Sequence, residues 1–294
     1  MLPGMTELAR NSTPVELKVQ AGDQTLAYKR WGREDQPLVL ALHGWRDNAA
    51  TFDRLAPLLP DWQILALDFA GHGFSSPRHR DGSYSIWTYL DDVMALLDQL
   101  KISKCHLLGH SMGGAVGTLF AALFPERINR LVLLDILGPL SVDPEDAVAQ
   151  MRRALLQKQE WDPSQQSYYP TEYSAIDARA RVGLEFATAR LLASRSLSHD
   201  EGGYYWHTDR RLARANALSL TEGHVLAFLR RIACPTLFVQ GADQAYWEPL
   251  AKVFDSRLAS IANLQHVQLK GHHHQHLEGE VEAVAGLVKT FLAD

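Results

Sequence analysis

The chain has 294 residues, of which 46% are apolar, enough to bury a large core. A formal charge of -5 with scattered Lys and Arg offers no basic stripe to track phosphates, which excludes a general nucleic-acid binder. Cys105 and Cys234 each begin an apolar run and read as buried thiols, and no stretch reaches the roughly 18 unbroken apolar residues of a membrane span. The opening segment MLPGMTELARNSTP has no apolar signal region, so the expectation is a soluble cytoplasmic protein.

In chain order, VELKVQ and TLAYKRWG alternate apolar and polar residues and predict an antiparallel opening. PLVLALHG, QILALDF, CHLLGHS and RLVLLDI are near-continuous apolar runs, as strands buried on both faces require. Helical patterns separate them at 51–59, 86–100 and 112–124; the second places Trp87, Leu90, Val93, Met94 and Leu97 on one face. This rhythm predicts a parallel sheet covered by helices on both sides. It breaks over 137–226, which reads as helices at 145–159, 175–193 and 221–232 joined by turn-rich aromatic pieces. CPTLFVQG and HVQLKG resume the sheet, and a helix at 281–292 ends the chain. The pattern predicts a core of residues 1–136 and 227–294 interrupted by a helical insertion at 137–226.

Gly109-His110-Ser111-Met112-Gly113 is a G-x-S-x-G pentapeptide between an apolar strand and an apolar helix. Such a turn holds a serine hydroxyl exposed on strained backbone, the flanking glycines removing the Cβ atoms that would collide. The following helix aims its first N–H groups at any oxyanion formed there. Ser111 is therefore the candidate nucleophile, against the plainer reading of a serine that only caps the helix.

These residues, with LHGWRDNAATFDRLAPLLP and ALDFAGHGFSS in the same order and spacing, resemble the α/β-hydrolase superfamily, and within it the serine hydrolase-like branch. The resemblance implies an eight-stranded, mostly parallel sheet with helices on both faces and a helical lid after strand six. It also implies an oxyanion hole made by the backbone N–H groups of Trp45 and Met112. The loop bearing Asp68, Gly71, Gly73 and Ser75 corresponds to a structural turn. In KGHHHQHLEGE, counting back from Glu278 makes His273 the expected base and His276 an accessory residue, although His272 stands where the family has a small residue. Two carboxylates keep the order serine, acid, histidine: Asp135, which ends the sixth strand, is preferred, and Asp243, after the seventh strand of the sheet, competes.

Substrate contacts are expected from His43, His110, Tyr168, Tyr169, Tyr205 and Trp206, although His43 with Gly44 also shapes its loop. The remaining histidines, including His106, His207 and His224, are expected on the surface or in packing. No cofactor and no metal are expected, because the histidine run has no carboxylate or cysteine cluster beside it in sequence. The function this implies is cleavage of a small-molecule carboxylic ester by an acyl-enzyme route, in a monomer or homodimer. C–C bond hydrolysis, thioester cleavage, acyl transfer and a non-catalytic binding role are the alternatives.

Overall fold

The computed structural model describes residues 13–162, 165–242 and 250–293. Eight strands form one sheet: β1 (Val15–Ala21), β2 (Gln24–Trp31), β3 (Leu38–Leu42), β4 (Gln63–Leu67), β5 (Cys105–His110), β6 (Ile128–Leu134), β9 (Thr236–Gly241) and β10 (Leu264–Leu269). Their order is β1-β2-β4-β3-β5-β6-β9-β10. β1 pairs antiparallel with β2 and β2 with β4, whereas every pairing from β4 to β10 is parallel.

The apolar runs are continuous because the central strands are covered twice. Leu40, Leu42, Leu107, Leu131 and Leu133 join one cluster with Val93 and Leu97 of α1 (Tyr89–Gln99) and Val116 and Phe120 of α2 (Met112–Leu123). Their alternates Val39, Ala41, Leu108, Val132 and Leu134 join a second with Val284, Val288 and Phe291 of the C-terminal helix, Val281–Ala293. Strand periodicity of two sends neighbouring side chains to opposite faces, and helices on both faces bury them. Both cysteines are buried free thiols.

Some expected elements differ. The pattern at 51–59 forms two short 3-10 turns, Ala49–Phe52 and Ala56–Leu58, with Pro57 early in the second, where its ring cannot sit inside a longer α-helix. Trp87 lies on a 3-10 turn ahead of α1 and is exposed rather than packed with Val93 and Leu97.

Between β6 and β9 lie helices α3 (Ala147–Gln159), α4 (Glu172–Ala180), α5 (Phe186–Ala193) and α6 (Glu222–Leu229). The single helical pattern expected at 175–193 is split into α4 and α5, with Gly183 between them at φ +101°. A hairpin, β7 (Leu197–Asp200) and β8 (Gly203–Trp206), occupies a stretch read from sequence as turns. Among the described residues, two further helices follow this stretch: α7 (Phe254–Leu258) and α8, the Val281–Ala293 helix.

The insertion is tied to the sheet by polar side chains as well as apolar ones. Ile176, Leu184, Ala189 and Leu192 cluster with Ala50 and Leu277 of the sheet-bearing part. Asn48 Nδ2 donates to the Leu192 carbonyl at 2.9 Å and to Ser196 Oγ at 2.8 Å. Arg195 Nε meets Asp68 Oδ2 at 2.7 Å, with both side chains buried, and its guanidinium stacks on Phe74 at 4.4 Å. Asp68 also accepts from the backbone N–H groups of Ala49 and Phe74, so the DFAGHGFSS loop is organised around one buried carboxylate. Removing the guanidinium strands that charge. Arg195→Met is expected to lower unfolding free energy by about 3–5 kcal/mol in urea denaturation; a loss under about 1 kcal/mol contradicts this account.

Candidate active site

Parallel pairing brings the carboxyl ends of β3, β5, β6, β9 and β10 to one edge of the sheet. The chain runs from β3 outward to β4, then returns to place β5 on the other side of β3. The crevice at such a switch point is where open α/β sheets place their ligands. Ser111 follows β5 and Trp45 follows β3, on either side of it.

At the end of β5 the Ser111 N–H still donates to the Leu134 carbonyl at 3.1 Å, continuing the ladder to β6. The backbone then turns to φ 49° and ψ -121°, and α2 begins at the next residue. This is a costly conformation for a residue with a Cβ, of order 1–3 kcal/mol, and it requires bare neighbours. A Cβ on Gly109 would lie 2.5 Å from Gly114 Cα, and one on Gly113 2.1 Å from the Leu42 carbonyl oxygen. The glycines of the pentapeptide are thus spacing elements between β3, β5 and α2.

The neighbouring strand ends in the same way. Asp135, directly after β6, has φ 51°, and its N–H donates to the Val239 carbonyl at 2.8 Å. Its carboxylate is 1% exposed, accepts the Gly241 N–H on Oδ1 at 2.7 Å and meets His273 Nδ1 on Oδ2 at 2.7 Å. A carboxylate facing Nδ1 fixes the proton there, leaving Nε2 with the lone pair. The His273 side chain is 22% exposed, so it reaches solvent while its partner does not. His110, the residue before Ser111, packs on the His273 ring at 4.6 Å and sets Nε2 2.9 Å from the His273 carbonyl. His272 Nδ1 accepts the His274 N–H at 3.2 Å. Asp243 lies outside the described residues.

Ser111 and Met112 line a cavity of about 1000 Å³, with Trp45, Trp87 and Ile136 on the sheet side and Val142, Gln150, Arg153 and the segment Leu212–Leu220 on the insertion side. Met112 is the first residue of α2, and the first N–H groups of a helix have no acceptor within it. The Trp45 indole donates to the Leu212 carbonyl at 3.3 Å, which ties this loop to the insertion.

Tyr168, Tyr169, Tyr205 and Trp206 are not on this lining. Tyr169 and Trp206 border a separate cavity of about 430 Å³, whereas Tyr168 packs edge-on against Tyr205 at 5.7 Å. His43 and His110, expected to touch substrate, are fully buried. His43 donates from Nδ1 to the Gly44 carbonyl at 2.7 Å and accepts the Phe69 N–H on Nε2 at 3.1 Å, joining the loops after β3 and β4. Both imidazoles are framework. His207 bridges Ser198 and the Gly73 carbonyl, and His224 caps α6 through Thr221.

Asp47 carries no sequence signal and is central. It is buried, Arg179 NH2 binds its Oδ1 at 2.6 Å, and His274 Nε2 lies 3.4 Å from its Oδ2. Burial opposes its ionisation, but His274 and Arg179 outweigh burial and hold the carboxyl well below the usual carboxylate range. Asp47, His110 and His274 form a group whose donor atoms lie within 4.8 Å of one another and could hold a metal ion.

Four histidines, His43, His72, His110 and His276, are fully buried, and burial is the first cause lowering the basicity of each. Neighbouring histidines depress His110 and His276 further. The sign follows directly. These rings stay neutral when folded but bind protons below about 6.5 when unfolded, so stability falls as pH drops through that value. Asp92, raised to about 6 by burial despite Arg78, gains its proton in the same window and offsets part of the loss. Urea denaturation should show roughly 1 kcal/mol lost per buried histidine between pH 7 and 5.5. A flat profile there would mean that these rings are charged in the folded protein.

A sequence-family profile described as alpha/beta hydrolase fold matches residues 37–279. The chain is 31% identical to serine hydrolase-like protein 2 of Homo sapiens, over 98% of this chain and 97% of that protein. The crystal structure of a hypothetical protein from Pseudomonas aeruginosa superposes with a TM-score of 0.88 at 38% identity, covering 95% of this chain and 99% of the other. The thioesterase domain of the curacin biosynthetic pathway superposes with a TM-score of 0.81 at 25% identity, covering 95% and 99%.

Proposed function

The chain belongs to the alpha/beta hydrolase family, in its serine hydrolase-like branch, and on that premise we propose that it cleaves small or medium, partly apolar carboxylic esters through an acyl-enzyme. The observation that carries this reading is the 2.7 Å contact between His273 Nδ1 and buried Asp135, beside a serine held at φ 49° on the wall of a cavity.

In this reaction His273 Nε2 takes the proton of Ser111 Oγ as the oxygen attacks the ester carbonyl. Asp135 keeps the imidazole in the required tautomer and stabilises its cation. The carbonyl oxygen becomes an oxyanion received by the N–H groups of Trp45 and Met112, each such donor lowering the barrier by about 3 kcal/mol. Collapse expels the alkoxide, which takes the proton from His273 Nε2. Water then repeats the sequence on the acyl-enzyme, releasing the acid and restoring the Ser111 hydroxyl. No step requires a cofactor.

Residues 137–226 act as a cap over a core of 1–136 and 227–294, a reading supported by α3 and Leu212–Leu220, which line the insertion side of the cavity. The cavity wall combines Leu140, Val142, Leu218 and Leu220 with Arg153 and Arg214, which suits an acyl chain carrying a polar or anionic end. The likeness to a thioesterase domain supports thioesters as a second class handled by the same atoms, with a thiolate as the leaving group.

Hydrolysis of p-nitrophenyl esters and acyl thioesters of graded length tests both arms. The wild type should turn over at least one series and react with a fluorophosphonate probe. Ser111→Ala should abolish turnover and labelling, and Asp135→Asn should lower kcat by about 10⁴-fold. An inactive, unlabelled wild type overturns hydrolysis by this serine, and an Asp135→Asn variant of near-normal kcat removes Asp135 from the mechanism.

A further inference from the structure

Among the described residues, hydrolysis as proposed leaves unused one cluster of side chains able to ligate a metal. Asp47 Oδ2 lies 3.4 Å from His274 Nε2 and 3.9 Å from His110 Nδ1. Asp47 and His110 are buried, and His274 is 15% exposed, so the group sits just beneath the surface.

Two details point to an ion between these atoms. His110 Nε2 faces the His273 carbonyl at 2.9 Å and must donate to it, so Nδ1 carries the lone pair. That Nδ1 is buried and has no hydrogen-bond partner. Buried polar atoms without partners are uncommon and ask for a bound ligand or a function. In addition, a Cβ on Gly44 would stand 3.1 Å from both Asp47 Oδ2 and His110 Nδ1, so the glycine keeps open the space beside both donors.

We infer that Asp47, His110 and His274 bind one zinc-class transition-metal ion, with a water completing a tetrahedral shell. Two imidazoles and a carboxylate suit zinc or cobalt, whereas calcium and magnesium take oxygen ligands. Donors around a tetrahedral zinc stand roughly 3.4 Å apart; the Asp47–His274 spacing is 3.4 Å, the Asp47–His110 spacing 3.9 Å, and the third lies within 4.8 Å, so ligation draws the donors together. The supporting contacts are in place as well: Arg179 holds the other oxygen of Asp47, and the His273 carbonyl orients the His110 ring. Arg179 also brings a positive charge, which sets the expected affinity near micromolar rather than at the level of a structural zinc finger.

Two ligands are chain neighbours of the catalytic pair proposed above, His110 of Ser111 and His274 of His273. A bound ion therefore clamps the two loops that carry the pair. Binding itself does not rest on the hydrolase reading, because Ser111 contributes no ligand.

The test is titration of untagged, metal-stripped protein with zinc(II) in competition with a chromophoric chelator, and with cobalt(II) followed by visible absorption. One equivalent per chain is expected, with a dissociation constant of about 10 μM or tighter and the intense visible bands of tetrahedral cobalt. His274→Gln should weaken binding at least about tenfold and bleach those bands, while Ser111→Ala binds as the wild type does. Circular dichroism of His274→Gln establishes that the variant is folded. Absence of a stoichiometric site in the wild type overturns the inference, as does binding that survives in His274→Gln, which would be adventitious capture by the exposed side of the histidine run. Octahedral cobalt bands in the wild type overturn the assigned ligand set whatever the folding of the variant.

Discussion

Ser111 and Asp135 are two non-glycine residues at positive φ, and they end adjacent parallel strands. The geometry of the candidate site depends on that pair of turns. Each strand keeps its ladder bond for one residue past its end, from Ser111 to the Leu134 carbonyl and from Asp135 to the Val239 carbonyl, before the backbone turns away. Side chains that would otherwise alternate into the apolar layers are redirected to the sheet edge. Such backbone is stable only where neighbours over-determine it. Here glycines at 109, 113 and 114 let β3, β5 and α2 approach within distances that any Cβ would prohibit. The packing of the sheet thus sustains the strain at the two residues proposed to carry the chemistry.

A second layer of organisation surrounds this edge and is electrostatic. Buried carboxylates sit at successive loops: Asp47 after β3, Asp68 after β4, Asp135 after β6. Each is compensated by groups distant in sequence, namely Arg179 and His274, then Arg195, then His273 and the Gly241 N–H. Isolated, such charges would be prohibitive inside a protein, but paired and hydrogen-bonded they fix which loops touch. Two of the cations, Arg179 and Arg195, come from the insertion or its edge. The same contacts that satisfy these carboxylates therefore tie the stretch between β6 and β9 to the sheet-bearing part.

The buried histidines belong to this layer rather than to substrate recognition. His43 links two loops through both ring nitrogens, and His276 faces Thr51 at 3.0 Å. His110 packs against three other imidazoles. His273 makes the shorter carboxylate contact of the run, 2.7 Å to Asp135 against 3.4 Å from His274 to Asp47, and its side chain is the more exposed of the two, 22% against 15%.

Much of the fold was legible because hydrophobic periodicity is a local property. Continuous runs identified the doubly covered strands, and alternation identified the antiparallel opening. The loss of buried-strand runs after residue 136 matches the mostly helical stretch between β6 and β9, and the pentapeptide at Ser111 marked a turn that needs its flanking glycines. The misread elements were those where tertiary context decides. These were the 3-10 turns around Pro57, the break at Gly183, and the β7–β8 hairpin, whose aromatic rings lie off the cavity beside Ser111. The site was legible to the extent that the pentapeptide marked Ser111 and the resemblance to the α/β-hydrolase superfamily implied His273 and Asp135 as its partners. Asp47, Arg179 and Arg195 were beyond reach, because a buried charge has no local signature: its partner lies 127 to 132 residues away, and only folding brings the two within hydrogen-bond distance. The sequence by itself determined the layers and the turn at the serine, since both follow from nearest-neighbour sterics and burial. The tertiary structure alone decided which carboxylate meets which cation, because that pairing is set by distance in space and the cost of leaving a buried charge alone.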